Sequence, residues 1–175
     1  MADTRLADAA LKLLAKTAWR DLTLAQVAKA AKLPLAKLQE LRGGKSALLG
    51  LILEKLGAET ASRYKPESDN ARDRLFDVCL CWFESSAKRK PAIRALTDGL
   101  RFDPLTLLAE REAIVSAANW LLTLAEADTG PAPLARALAL AVVMGRTIPV
   151  WLDDDAELTK TMARLDGDLG YVLKR

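Results

Sequence analysis

The chain has 175 residues, 51% of them hydrophobic but only 5% aromatic, and is weighted to Ala and Leu over the β-branched and aromatic residues that half-buried strands favour. Its net charge is +3 and it contains no histidine, which excludes histidine-based acid–base or nucleophilic catalysis and the commonest zinc sites. Apart from the Ala/Leu/Val run around 137–144, charges break every apolar stretch short of a membrane span, and no signal-peptide pattern opens the chain; a soluble, cytoplasmic, all-α protein is expected.

Leu6, Ala10, Leu13, Leu14 and Thr17 recur at helical spacing and predict a first amphipathic helix over about 4–17, with Lys12 and Lys16 outward. Thr23 and Gln26 form a capping box, with Leu22 and Val27 in the positions of a hydrophobic staple, so a second helix begins at about Leu24. It is short, because Leu24, Val27, Ala28 and Ala31 run into Pro34, which disfavours helical geometry at Leu33 and places a turn at 32–34. Leu35, Leu38 and Leu41 predict a third helix of about two turns, stopped by Gly43 and Gly44. A longer helix starts at Lys45, carries Leu48, Leu49, Ile52, Leu53 and Leu56, and fades towards Pro66.

Residues 66–70 (PESDN) are a polar break and the best boundary between modules. Beyond it, Leu75, Phe76, Cys79 and Phe83 mark one helix face that Val78 and Trp82 widen, and Pro91 marks a kink or new start. Cys79 and Cys81, two apart on a helix, point to opposite sides and are read as packing residues. Asp103 followed by Pro104 predicts an N-cap and first helical residue opening a long helix through about Glu126. The turn 128–133 (DTGPAP) leads to two final helices, from about Pro133 to Leu152 and from about Asp155 to Val172. Asp153, Asp154 and Asp155 at the start of the second are read as dipole and capping residues rather than metal ligands.

A capped short helix, a tight turn and a second short helix, braced on both sides by further helices, describe a helix-turn-helix. Through residues 8–56 the chain resembles the N-terminal domain of the TetR family of regulators. The resemblance rests on Ala-Ala-Leu at 9–11, Leu-Thr-Leu-x-x-Val-Ala at 22–28, Leu38, and Lys45, Ala47, Leu48 and Leu49. It implies a helix-turn-helix module over 1–44, a linking helix over 45–65, and a helical ligand-binding and dimerisation domain over 66–175. It further implies an operator in double-stranded DNA, a homodimer formed through the last two helices, and a small apolar ligand that shifts the spacing of the two DNA heads. Segments 72–96 and 150–169 look like a TetR-like branch that is similar to the lipid-binding accessory protein of ubiquinone biosynthesis, which keeps the fold without acting as a repressor.

Ten basic residues against five acidic ones leave residues 1–56 at +5 and the remainder at −2, which suggests a polyanionic partner at the N-terminal end or an ordinary solvated surface. With Leu35, Leu38 and Leu41 inward, Lys37, Gln39 and Glu40 face outward: Lys37 for a phosphate or guanine, Gln39 for adenine, Glu40 for cytosine N4. Thr23 at the helix entry and Lys45, whose ammonium would combine with free backbone amides as a phosphate clamp, complete the DNA-binding candidates. The chain departs from the family pattern at Lys37, Gln39, Glu40 and Arg42, and has Lys32 where the turn usually has Gly. A helix kept for folding, its capacity to read DNA decayed, therefore stands beside a helix that reads bases.

Trp82, Phe83, Trp120, Met144, Ile148 and Trp151 are the large apolar groups of the C-terminal helices, where a pocket for an apolar molecule would form; each alone also fits ordinary core. No cofactor or metal is expected. The leading expectation is a ligand-responsive TetR-type regulator, a repressor by family habit, and the alternative is a lipid or isoprenoid carrier on the same fold. An enzyme is not expected, because no motif sets a nucleophile beside a base and no Gly-rich phosphate loop follows a strand.

Overall fold

A computed structural model describes residues 2–34, 36, 38, 44–101, 103–129 and 132–173. The described residues are mostly helical and include no strand. In order the helices are α1 (Ala2–Leu14), α2 (Leu24–Ala31), α3 (Lys45–Arg63), α4 (Ala71–Ser86), α5 (Lys90–Arg101), α6 (Pro104–Ala109), α7 (Arg111–Leu124), α8 (Pro133–Leu152) and α9 (Thr159–Leu169), with a short 3-10 turn at Trp19–Asp21. Two compact units result: Met1–Lys55 with Lys88–Ala113, and Leu56–Ala87 with Ile114–Arg175. In the first of these α5 packs on α1 and on the 3-10 turn.

In the first unit, Leu6, Ala7, Ala10, Leu11 and Leu14 make the buried stripe of α1, and Val27, Ala28 and Ala31 that of α2. The α2 entry forms as its sequence requires. The Thr23 hydroxyl accepts from the Gln26 N–H at 3.2 Å, the Gln26 side chain accepts from the Thr23 N–H at 2.8 Å, and the staple residues Leu22 and Val27 are both buried. At the other end Lys32 takes the left-handed conformation (φ 55°), and the Arg5 guanidinium donates to the carbonyls of Ala31 (2.6 Å) and Lys32 (3.3 Å). That bond ties α1 to the turn and satisfies carbonyls a helix end leaves open. Past the turn, Ala36 and Leu38 have 3-10 geometry and Leu38 is buried, as its inward placement predicts.

Several boundaries differ from those expected. α1 begins at Ala2 and ends at Leu14, leaving Lys16 and Thr17 in the loop towards Trp19. The long helix expected from Pro104 to Glu126 is two helices, broken at the buried Glu110. Its start is as expected: Asp103 accepts from the N–H groups of Leu105 and Thr106, each at 3.1 Å. α9 begins at Thr159 rather than Asp155, because Leu158 adopts a left-handed conformation (φ 56°) and Asp154 reaches past it to accept from the Thr161 N–H (2.8 Å) and hydroxyl (2.7 Å). The acidic run thus caps the helix from a distance.

In the second unit α8 packs on α9, and α4 also meets α9. Ala137, Leu140, Val143, Met144, Thr147 and Trp151 form the buried face of α8. By length and composition α8 qualifies as a bilayer-crossing helix, with a mean hydropathy of 1.4 over its most apolar window, although Arg136 and Arg146 interrupt it and this face is packed. Cys79 is fully buried, and desolvation pushes its thiol up to about 12; Cys81 donates to the Thr60 carbonyl at 3.8 Å. Both are packing groups rather than reactive thiols.

Candidate nucleic-acid interface and apolar cluster

Lys37, Gln39 and Glu40 lie outside the described residues, so only Thr23 and Lys45 of the candidate interface residues can be placed. On the near side, Thr23 is exposed at the N-cap of α2, with its oxygen committed to Gln26 and its hydroxyl proton able to turn outward. On the far side stands Lys45, the first residue of α3. The first intrahelical bond runs from the Leu48 N–H to the Gly44 carbonyl, which leaves the amides of Lys45, Ser46 and Ala47 without an acceptor inside the helix.

The Lys45 side chain itself is turned back into its own unit. Its ammonium donates to the carbonyls of Trp19 (2.9 Å) and Arg20 (3.0 Å) and lies 5.4 Å from the centre of the Trp19 ring. Desolvation pulls it below the ordinary lysine range, with Asp21 opposing. Trp19 is the anchor that sequence reasoning missed; the signal for it was a lone aromatic between two predicted helices. Lys45→Met should therefore lower stability by about 1–2 kcal/mol, the worth of charge-assisted bonds near the surface. A denaturation curve beside a salt titration of DNA binding separates the two roles: a brace changes the first, and a phosphate contact lowers the salt slope by about one.

Trp19 also fixes how closely α5 approaches. A Cβ on Gly99 would lie 2.6 Å from the Trp19 Cβ, an atom next to the backbone that cannot swing aside. Gly99→Ala should cost about 1–3 kcal/mol of overpacking in urea denaturation. Gly57→Ala is the matched control, because the nearest atoms to its added Cβ are those of the Trp120 indole, at 2.7 Å, a side chain that is 43% exposed rather than packed in the core.

Near the junction of α6 and α7 a cleft of about 1000 Å³ opens in the first unit, with Lys16, Arg20, Lys45, Arg94, Asp98 and Asp103 among its charged lining residues. Glu110 lines it as well, and this carboxyl is buried. Its Oε1 accepts from the Ser46 hydroxyl at 3.0 Å, while its Oε2 is buried with no hydrogen-bond partner. Burial pushes the carboxyl above the usual range, with the Ser46 bond opposing. A raised folded-state value means that stability is lost as pH rises from the ordinary glutamate range through the raised one. Glu110→Gln should consequently melt higher than the parent chain at pH 7.5, with the difference vanishing towards pH 4 in a thermal-melt series.

The C-terminal apolar candidates divide by burial. Trp82, Phe83 and Trp151 are packed on one another, with ring centres 5.3 Å apart for Trp82 and Phe83, 6.0 Å for Trp82 and Trp151, and 5.4 Å for Phe83 and Trp151. Met144 is buried and Ile148 half-buried on α8, and Trp120 is exposed over Gly57. On the side of α8 away from this face, Leu134, Leu138 and Val142 repeat every four residues and are 64%, 47% and 59% exposed. Among the described residues no group of three or more Cys, Asp or Glu is placed to hold a metal ion.

No family model matches the sequence, and no curated relative matches it either. The structure is similar to the crystal structure of a TetR transcriptional regulator from Rhodococcus sp. RHA1, with a TM-score of 0.70 at 13% sequence identity, over 98% of this chain and 95% of that one. Nearly the whole chain is thus aligned rather than the N-terminal module alone, and the fold is that of a TetR transcriptional regulator.

Proposed function

We propose that the protein is a dimeric, DNA-binding transcriptional regulator of the TetR type, acting in the cytoplasm as a repressor whose grip on an operator is altered by a small apolar ligand. The observation that carries this is the likeness in fold to a transcriptional regulator over 98% of the chain. It is supported by the capped α2 with its turn at Lys32, and by a basic excess in the segment that would face DNA. Lys37, Gln39 and Glu40 would meet base edges, while Thr23 and the free amides at the start of α3 would hold phosphates. No catalytic step is assigned to it.

Two copies would pair through α8 and α9, where Leu134, Leu138 and Val142 form an unpartnered apolar stripe. The ligand would enter beside Trp120 and Ile148, which are accessible, with Met144 and the Trp82, Phe83 and Trp151 rings as its wall. Fluorescence anisotropy against DNA from upstream of its own gene tests the proposal. Binding should exceed that to random duplex and fall steeply with salt; equal affinity for the two would overturn it.

A lipid or isoprenoid carrier on the same fold is the second reading. The Lys45 ammonium favours it, being spent on two carbonyls rather than held out for phosphate. A copurifying lipid in native mass spectrometry, with no sequence-specific DNA binding, would establish the carrier instead.

A further inference from the structure

We propose that the cleft of the first unit is a binding site for a small organic amine, whose ammonium docks on Glu110 while its apolar body lies against Trp19, Pro91 and Ala95. The aromatic cluster belongs to the second unit, so this is a separate site, and it does not depend on whether the protein binds DNA.

Three observations converge on it. The cleft, at about 1000 Å³, is the size of an organic-ligand site, and Leu14, Ala18, Trp19, Pro91 and Ala95 give it an apolar wall. Glu110 is 97% buried by its 3% exposure, its Oε2 has no partner, and among the described residues no cation forms an ion pair with it. Lys45 also lines the cleft, but its ammonium is engaged by the Trp19 and Arg20 carbonyls. A buried carboxylate oxygen without a donor is costly, and a donor that also carries positive charge relieves both the missing hydrogen bond and the unpaired charge. An anionic ligand would worsen the second.

The third observation is the cover. α6 contributes Thr106 and Ala109 to the cleft, yet none of its residues from Pro104 to Ala109 is buried, and Leu105, Leu107 and Leu108 are exposed. A six-residue helix with no buried anchor costs little to displace, so it can move to admit a ligand to Oε2.

The test uses the full chain with hexylamine, and with hexanol and hexanoate as matched neutral and anionic probes, read by isothermal titration calorimetry and thermal shift. Hexylamine should bind saturably and raise the melting temperature, with hexanol and hexanoate having little effect. Glu110→Gln, shown to be folded by circular dichroism, should weaken hexylamine binding about tenfold or more, as expected for loss of a charged hydrogen bond. Ala95→Phe, which fills the cleft and leaves Glu110 in place, should weaken it as well. No binding of hexylamine, equal binding of all three probes, or full binding to either variant would each overturn the proposal.

Discussion

Phe83→Ala should destabilise the second unit by about 3–5 kcal/mol, the range for removing a large aromatic from a filled core. Phe83 has no exposed surface and its ring meets both tryptophans, at 5.3 and 5.4 Å, so no neighbour can collapse into the space without breaking a second ring contact. Trp151 is equally buried and should respond in the same way. Ile148→Ala should cost much less, since Ile148 is half-buried. Urea denaturation distinguishes the two positions. If Phe83→Ala were nearly neutral, the three rings would be lining a space that already holds no close packing, and the wall assigned to them would be a cavity.

If the chain is the dimeric regulator proposed above, Leu138→Glu should convert it to a monomer and lower its operator affinity about a hundredfold or more. The residue lies at the middle of the exposed stripe on α8, four residues from Leu134 and four from Val142. In a twofold pairing, one substitution places two carboxylates in a single apolar interface, where each would be buried without a partner. Two linked DNA heads gain their affinity from engaging both half-sites, so losing the pair removes the second contact entirely. Light scattering reads the mass and anisotropy reads the affinity. A variant that stays dimeric would move the interface off α8.

How legible this molecule is in its sequence varies with the range of the interaction that decides each feature. The α2 entry was readable because Thr23, Gln26, Leu22 and Val27 decide it within six residues, and both arms of the capping box are formed. The Asp103 and Pro104 start was readable for the same reason. The break at Glu110 was not, because nothing in the pattern from 104 to 126 interrupts helical periodicity; the kink goes with a carboxyl that bonds Ser46, sixty-four residues earlier. The start of α9 moved because Asp154 caps across a left-handed Leu158, a conformation that costs a leucine energy and that no residue type announces.

The candidate sites show the same division. The large apolar residues could be named from the sequence, but only tertiary packing separates the mutually stacked Trp82, Phe83 and Trp151 from the accessible Trp120. Lys45 was picked out by its place at a helix start, yet its ammonium is held by carbonyls twenty-six and twenty-five residues away. The cleft at Glu110 left no trace in the sequence, since its lining comes from α1, the 3-10 turn, α3, α5 and α6.

Sequencing the duplexes that the full-length protein retains from a random pool tests the proposed function most directly. The expected result is enrichment of an inverted repeat, with half-sites about one helical turn apart and retention that collapses as salt is raised. A retained pool with the same composition as the input would contradict it, leaving a TetR fold that serves a ligand and not an operator.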